Sequence, residues 1–272
     1  MVPHTVESTG RIGEGSRRPA RYLTDVRALA RLGGVDPAPL ARVCRHYAFR
    51  TNDYYARLID WSAEQDPIRT LIVPSEGELS PWGRLDASNE ASNTKLPGLQ
   101  HKYADTALML VTDQCAGFCR YCFRKRLFRT GNRETAHDVS GSIDYIRAHP
   151  EITDVLLTGG DPLTLPTHRL APILHSVASI PHVTSVRIGS KILAFNPYRV
   201  LDDAELQRMF GEYAGARVRI HLMCHFDHPR ELTEEAVAAV RLLHGLGVML
   251  VNQCPVTAGV NDDPQVLAEL FR

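Results

Sequence analysis

The second half of the chain alternates short apolar runs with helical stretches, and this alternation constrains the fold more than any other feature. The apolar runs span residues 107–111, 155–157, 183–188, 218–223 and 248–251. Apolar spacing typical of helices marks residues 135–148, 167–179, 202–213, 233–246 and 263–272. Continuous apolar runs suit strands covered on both faces, and their alternation with helices indicates parallel βα units. The pattern therefore predicts an α/β fold whose parallel strands carry functional groups at their carboxyl ends.

The rest of the chain divides around this core. Residues 1–21 are polar and are predicted to form a flexible tail. Residues 22–104 are predicted to form a helical lead-in and then an extended connection, which holds four prolines and few regular patterns. Residues 105–272 form the predicted core.

Composition excludes several classes of function. The 272 residues carry 31 basic and 31 acidic side chains, so the net charge is zero and no basic block indicates nucleic-acid binding. No apolar run approaches the roughly 18 residues of a membrane span, and the polar start of the chain is unlike a secretory signal. We therefore expect a cytoplasmic protein without nucleic-acid or membrane partners. The sequence leaves open whether it forms a homo-oligomer.

Three of the six cysteines are clustered directly after the first predicted strand of the core. Cys115, Cys119 and Cys122 have the spacing C-x3-C-x2-C. Three thiolates on one short loop can bind three irons of a [4Fe–4S] cubane and leave the fourth iron open. The alternatives are a zinc site completed from the close pair His225 and His228, and chance clustering of buried cysteines. The loop also carries four cations that are expected to offset the charge of a thiolate-bound cluster: Arg120, Arg124, Lys125 and Arg126.

Glycines and polar residues follow the other predicted strands. Gly159, Gly160 and Asp161 follow the second strand, where two glycines permit positive φ angles and close backbone approach to a ligand. The residues delivered by the third, fourth and fifth strands include Ser190, His225 and Gln253. Any one of these could be an ordinary loop residue, but together at one rim they predict a ligand site.

The cysteine spacing, with Tyr121 just before the last cysteine, and the Gly-Gly-Asp-Pro segment resemble the radical S-adenosylmethionine (SAM) superfamily. The resemblance implies a partial (β/α) barrel of five to six βα units with a helical N-terminal extension. It implies that the three cysteines bind a [4Fe–4S] cluster and that SAM chelates the open iron of this cluster. It also implies that a flavodoxin or ferredoxin reduces the cluster. The residues implied to line the SAM site are Gly159, Gly160, Asp161, Ser190, His225 and Gln253.

From Tyr54 onward the chain resembles lysine 2,3-aminomutase and its relative that acts on a lysine of elongation factor P. Matching segments include the cysteine loop, Arg187–Ser190 and His225–Pro229. The resemblance implies amino-group migration on a small amino-acid substrate, with pyridoxal phosphate (PLP) as a second cofactor. Arg124 matches the arginine that binds the substrate carboxylate, which a planar guanidinium suits, with compensation of the cluster charge as the alternative. Lys102 matches a position that holds the PLP phosphate.

The PLP lysine of these enzymes lies beyond the segment that matches Gly259–Asp262, and this chain ends ten residues after Asp262. We therefore expect no PLP lysine in the chain and a C-terminally incomplete core. Only four lysines are present, and Lys191, after the third strand, is the one substitute that lies at the rim. Two alternatives stay open: a radical SAM enzyme that acts on another substrate without PLP, and a non-catalytic iron–sulfur or zinc protein derived from the family.

Overall fold

The computed structural model describes residues 20–63, 65–129 and 131–272. The tail predicted for residues 1–21 therefore lies outside the described residues, except for its last two positions. Within the described ranges, no helix combines the length and apolarity needed to cross a membrane.

A small layer of helices precedes the main sheet. It contains a two-stranded antiparallel ribbon and four helices: β1 (Tyr22–Leu23), α1 (Val26–Gly33), α2 (Pro37–Cys44), β2 (Thr51–Asn52), α3 (Asp53–Ala56) and α4 (Pro67–Ile72). Asp25, Asp36, Asn52 and Asp66 cap the four helices, each accepting a hydrogen bond from a backbone N–H of the first turn. Helices this short are only marginally stable by themselves, and the caps explain why each one begins where it does.

The main sheet has seven strands in sequential order within the described residues. They are β3 (Thr94–Leu96), β4 (Leu99–Tyr103), β5 (Thr106–Thr112), β6 (Asp154–Gly159), β7 (Ser185–Ser190), β8 (Arg219–Cys224) and β9 (Met249–Asn252). Strands β3 to β5 pair antiparallel, and β5 to β9 pair parallel. The parallel order matches the five predicted βα units and confirms the α/β partial barrel.

Helices follow the parallel strands and cover the sheet. They are α5 (Ser140–Ala148), α6 (Thr167–Ala178), α7 (Ile192–Phe195), α8 (Tyr198–Leu201), α9 (Ala204–Gly211), α10 (Glu234–Gly245) and α11 (Pro264–Leu270). The strand residues Val155, Val186 and Leu222 are completely buried, as expected for strands between two layers. At the last strand, Met249 and Val251 are 47% and 40% exposed, because β9 pairs only with β8 among the described strands.

The segment over residues 64–104, predicted to be an extended connection with few regular patterns, contains regular elements. This segment contributes α4, two short 3-10 turns (Glu76–Leu79 and Glu90–Asn93) and the antiparallel strands β3 and β4. All three residues of β3 are exposed, and only Leu99 and Gln100 of β4 are buried. Because an edge hairpin of this kind buries little apolar surface, its sequence needs no continuous apolar run. Its strands are therefore difficult to predict from the hydrophobic pattern.

Candidate functional site

A cavity of about 200 Å³ opens where the parallel strands end. Strands β6 and β7 and the segments after β5, β8 and β9 all supply lining residues, as the sequence predicted for the rim of such a sheet. The predicted site residues that line it are Cys115, Cys119, Cys122, Arg124, Gly159, Gly160, Asp161, Ser190, His225 and Gln253. The fold thus brings together groups as far apart in the sequence as Cys115 and Gln253.

The three thiols face this cavity without converging on one point. Among the described residues, no three His, Cys, Asp or Glu side chains form a group that could hold one metal ion. Burial raises the pKa of each thiol, that of Cys119 to about 12, so an incoming metal must displace their protons. A cubane binds each cysteine to a different iron, and this donor set of three separated soft thiols fits such a cluster.

The cysteine loop is fixed to the N-terminal layer by backbone contacts. Phe118 donates its N–H to the Arg50 carbonyl at 2.9 Å, and Arg120 donates its N–H to the Leu71 carbonyl at 2.9 Å. Gly117 lies against the ring of Phe195, and a Cβ at this glycine would lie 2.5 Å from a ring carbon. The loop therefore keeps its shape because a residue without a side chain stands between the first two cysteines.

The last residue of β6, Gly159, and the glycine after it, Gly160, pack against the start of the same loop. Gly159 has a φ of +114°, and a Cβ there would lie 2.4 Å from the Thr112 carbonyl oxygen. A Cβ at Gly160 would lie 2.2 Å from the Gln114 carbonyl oxygen. The sequence suggested that these glycines permit close approach to a ligand, whereas the closest approach that the structure shows is to protein backbone.

The carboxylate of Asp161 joins the ends of β6 and β7. It accepts the N–H of Leu163 at 3.0 Å and the N–H of Lys191 at 2.9 Å, and the Ser190 hydroxyl also bonds to it. Burial outweighs these hydrogen bonds and raises the pKa of Asp161 to about 6. Both Asp161 and Ser190 line the cavity, and their side chains also organise the turn beneath it.

His225 lies in the cavity wall, and His228 does not. Burial and the neighbouring Lys191 lower the pKa of His225 to about 4, so its imidazole is neutral at neutral pH. The ring of His228 instead accepts the N–H of Arg230 and caps the turn Pro229–Glu231. Only one member of the predicted histidine pair is therefore placed beside the cysteines.

Arg124 reaches the cavity with much of its guanidinium already engaged. Nε and Nη2 bind the carboxylate of Glu90 at 3.0 and 2.7 Å, and Nη1 donates to the Thr158 hydroxyl at 3.0 Å. The exposed ring of Phe123 lies beneath the cation, 4.7 Å from centroid to Cζ. Both Arg124 and Thr158 line the cavity, so the pair presents a fixed polar edge to it.

The other cations of the cysteine loop are also paired with carboxylates. Glu78 binds Arg120 at 2.7 Å and Lys125 at 2.6 Å. Glu90 binds Arg126 as well as Arg124, and Glu134 binds Arg126. The four cations expected to offset the cluster charge are therefore each paired with a carboxylate, although the charges of Arg124, Lys125 and Arg126 still act against burial to lower the pKa of the Cys122 thiol. Sequence reasoning missed Glu78 and Glu90 because they lie in the connection, more than thirty residues before their partners.

The four lysines occupy positions that sequence reasoning only partly anticipated. Lys102 is exposed on β4, which runs antiparallel to β5, and this places it at the amino-terminal end of β5, away from the cavity. The structure thus does not bring Lys102, the predicted PLP phosphate ligand, into the cavity lining. Lys95 is exposed on β3, and Lys125 is paired with Glu78. Lys191 does line the cavity, but its ammonium is bound to the carboxylates of Asp227 and Glu231.

Comparisons with known proteins agree with this arrangement. The family model of the Radical SAM superfamily matches residues 109–271. A protein of Aquifex aeolicus named "Putative L-lysine 2,3-aminomutase" is 51% identical over 253 residues, which are 92% of this chain and 67% of the relative. The L-lysine 2,3-aminomutase of Acetoanaerobium sticklandii is 38% identical over 80% of this chain and 52% of its own length. The glutamate 2,3-aminomutase of Clostridioides difficile is 34% identical over 90% of this chain and 58% of its own length.

Proposed function

Because the chain belongs to the radical SAM superfamily, we propose that it binds a [4Fe–4S] cluster and SAM and generates a 5′-deoxyadenosyl radical. The observation that carries this proposal is the single cavity shared by the three thiols and the ends of five parallel strands. When bound, the reduced cluster would supply the electron that cleaves SAM, and a flavodoxin- or ferredoxin-like protein is the proposed donor.

The protein's own residues would hold and orient SAM. Gly159 and Gly160 line the cavity at the end of β6, and Ser190 of β7 and Gln253 after β9 offer polar groups to it. His225, neutral at neutral pH, can both donate and accept a hydrogen bond there. The remainder of the wall is mainly apolar and includes Leu156, and it would limit the access of water to a bound cofactor.

We further propose that the reaction is an amino-group migration on an amino acid, as the names of the relatives suggest. Arg124 is the proposed carboxylate ligand, held in place by Glu90 and Thr158. The chain spans between about half and two thirds of the lengths of these relatives, so the substrate is proposed only as an α-amino acid.

One observation favours a second candidate, a radical SAM reaction without PLP. None of the four lysines, all of which lie in the described residues, presents an unpaired amine to the cavity. Lys191 donates to three acceptors, and an ammonium held in this way is a poor partner for the PLP aldehyde. If PLP takes part, its lysine must come from residues outside this sequence.

Anaerobic reconstitution tests the cluster directly. We expect about four irons per chain, the cubane stoichiometry, with the absorption and reduced-state paramagnetic signal of a [4Fe–4S] cluster. Alanine at Cys115, Cys119 or Cys122 removes a ligand and should abolish cluster binding. Cys44→Ala is the matched control, since Cys44 lies in α2 and outside the cavity lining. Stoichiometric zinc in place of iron after anaerobic reconstitution would contradict the proposal.

A further inference from the structure

A buried network of charged and phenolic side chains lies beside Cys119, and the proposed function makes no use of it. Its members come from α3, the cysteine loop, the end of β7 and the segment after β8: Tyr55, Tyr121, Lys191, Asp227 and Glu231. Tyr55, Asp227 and Glu231 are completely buried, and Lys191 is 7% exposed. Burying the charges of Lys191, Asp227 and Glu231 together is costly unless they are paired and hydrogen-bonded.

Lys191 is the centre of this network. Its Nζ lies 2.8 Å from Asp227, 2.6 Å from Glu231 and 3.0 Å from the His225 carbonyl oxygen, so all three N–H groups are used. Burial alone would lower the pKa of Lys191, but the two carboxylates more than offset burial and raise it. The side chain is therefore a permanent buried cation.

The two tyrosines complete the hydrogen bonding of the carboxylates. Tyr121 donates its hydroxyl to Asp227 at 2.6 Å, and Tyr55 donates its hydroxyl to Glu231 at 2.5 Å. Glu231 also accepts the N–H groups of Asp227 and His228. In contrast, Oδ1 of Asp227 is buried without a hydrogen-bond partner. An unsatisfied carboxylate oxygen in an otherwise saturated network calls for an explanation.

The network borders the cluster site, because Lys191 and Tyr121 line the same cavity as Cys119 and the Tyr121 hydroxyl binds Asp227 at 2.6 Å. Besides burial, the side chains that most affect the pKa of this thiol are Lys191, which lowers it, and Asp227, which raises it. Tyr121 also hydrogen-bonds to the thiol. The cations of the cysteine loop, by comparison, are each paired with Glu78, Glu90 or Glu134. Lys191 and Asp227 are thus the opposite charges that bear most directly on this cluster ligand.

We propose that Lys191 and Asp227 set the reduction potential of the [4Fe–4S] cluster through Cys119, the ammonium raising it and the carboxylate lowering it. The potential of such a cluster depends on nearby charge and on hydrogen bonds to its sulfurs. One ammonium between two carboxylates leaves negative charge in excess, so the network as a whole favours the oxidised cluster. Lys191 and Asp227 are positioning residues in this account, and the inference rests on the proposed cluster.

A redox titration of the reconstituted protein, followed by the paramagnetic signal of the reduced cluster, tests this inference. Asp227→Asn preserves shape and removes one negative charge, so the midpoint potential should rise. Lys191→Met removes the positive charge, so the midpoint potential should fall, and Lys191→Arg should restore it. The matched control is Asp154→Asn, which breaks a carboxylate–arginine pair with Arg187 at the opposite end of the strands and should leave the potential unchanged.

Lys191 and Asp227 contact each other, so structural damage from either substitution should be similar. Midpoint potentials that shift in opposite directions in the two variants would therefore indicate an electrostatic role. Damage to the fold would lower iron content or move both potentials in the same direction. Unchanged potentials, or shifts of one sign, in variants that hold four irons would overturn the inference and leave the proposed function intact. A wild-type protein that holds no [4Fe–4S] cluster would overturn both. If the Lys191→Met protein does not fold, the sign of the Asp227→Asn shift decides alone.

Discussion

The glycines that line the cavity are required for different physical reasons. Gly117 makes room for Phe195, and Gly160 makes room for the backbone at Gln114. At Gly189 on β7, the nearest atom to an added Cβ would be the Thr158 hydroxyl oxygen at 3.5 Å, which is an ordinary contact. Protein packing therefore leaves space for a side chain at Gly189, and this position lines the cavity. We propose that the missing side chain leaves room for SAM at this position.

Alanine substitutions distinguish these two kinds of glycine. Gly189→Ala should hold its four irons but bind SAM about ten- to a hundredfold more weakly, since overpacking a filled site costs about 1–3 kcal/mol. Gly160→Ala should instead distort the cysteine loop and lose iron, because its Cβ would collide with backbone. Equilibrium dialysis with labelled SAM and iron analysis measure the two effects. If the Gly189→Ala protein binds SAM as tightly as the wild type does, SAM does not occupy the space beside Gly189.

At the scale of elements, the connection before the sheet holds the cysteine loop in place. Glu78 lies in the 3-10 turn Glu76–Leu79 and Glu90 in the turn Glu90–Asn93, and both are largely buried where they bind the loop's cations. Buried carboxylates that each bind two cations fix the loop more firmly than exposed ion pairs do. The connection is thus part of the site's framework.

Removing one of these carboxylates should destabilise the protein more than removing an exposed one. Glu90→Gln leaves Arg124 without its buried partner and should lower the free energy of unfolding by about 3 kcal/mol. Glu134→Gln is the matched control, since Glu134 binds the same Arg126 but is 41% exposed, and it should cost less than about 1 kcal/mol. Urea unfolding measures both variants. Equal losses would show that burial of Glu90 contributes nothing to its role.

Particular residues show how far the sequence predicts this site and where it stops. The spacing of Cys115, Cys119 and Cys122 and the residues after each strand predict the cavity, because parallel strands must deliver their carboxyl ends to one rim. The buried partners of those residues follow from tertiary packing. Nothing in the local sequence indicates that Glu90 will bind Arg124, or that Lys191 will be enclosed by two carboxylates. The sequence pattern also does not show that β4, which carries Lys102, runs antiparallel to β5 and so places Lys102 away from the cavity.

At the scale of the whole molecule, five parallel strands and the antiparallel hairpin before them form one sheet with its chemistry at one end. The helical layer, the connection and the core each contact the cysteine loop, through Arg50, Glu78 and Phe195 respectively. The described structure therefore supplies every residue proposed to hold the cluster and SAM. The amino-acid substrate has only Arg124 as a proposed ligand in this chain.

Reductive cleavage of SAM tests the central claim most directly. The reconstituted, dithionite-reduced protein, given SAM without any substrate, should release 5′-deoxyadenosine and methionine in equal amounts. The reaction should require the reductant and should be absent from Cys119→Ala protein, while Cys44→Ala should retain it. A protein that holds a fully reduced [4Fe–4S] cluster yet forms no 5′-deoxyadenosine above the level of the Cys119→Ala variant would contradict this account.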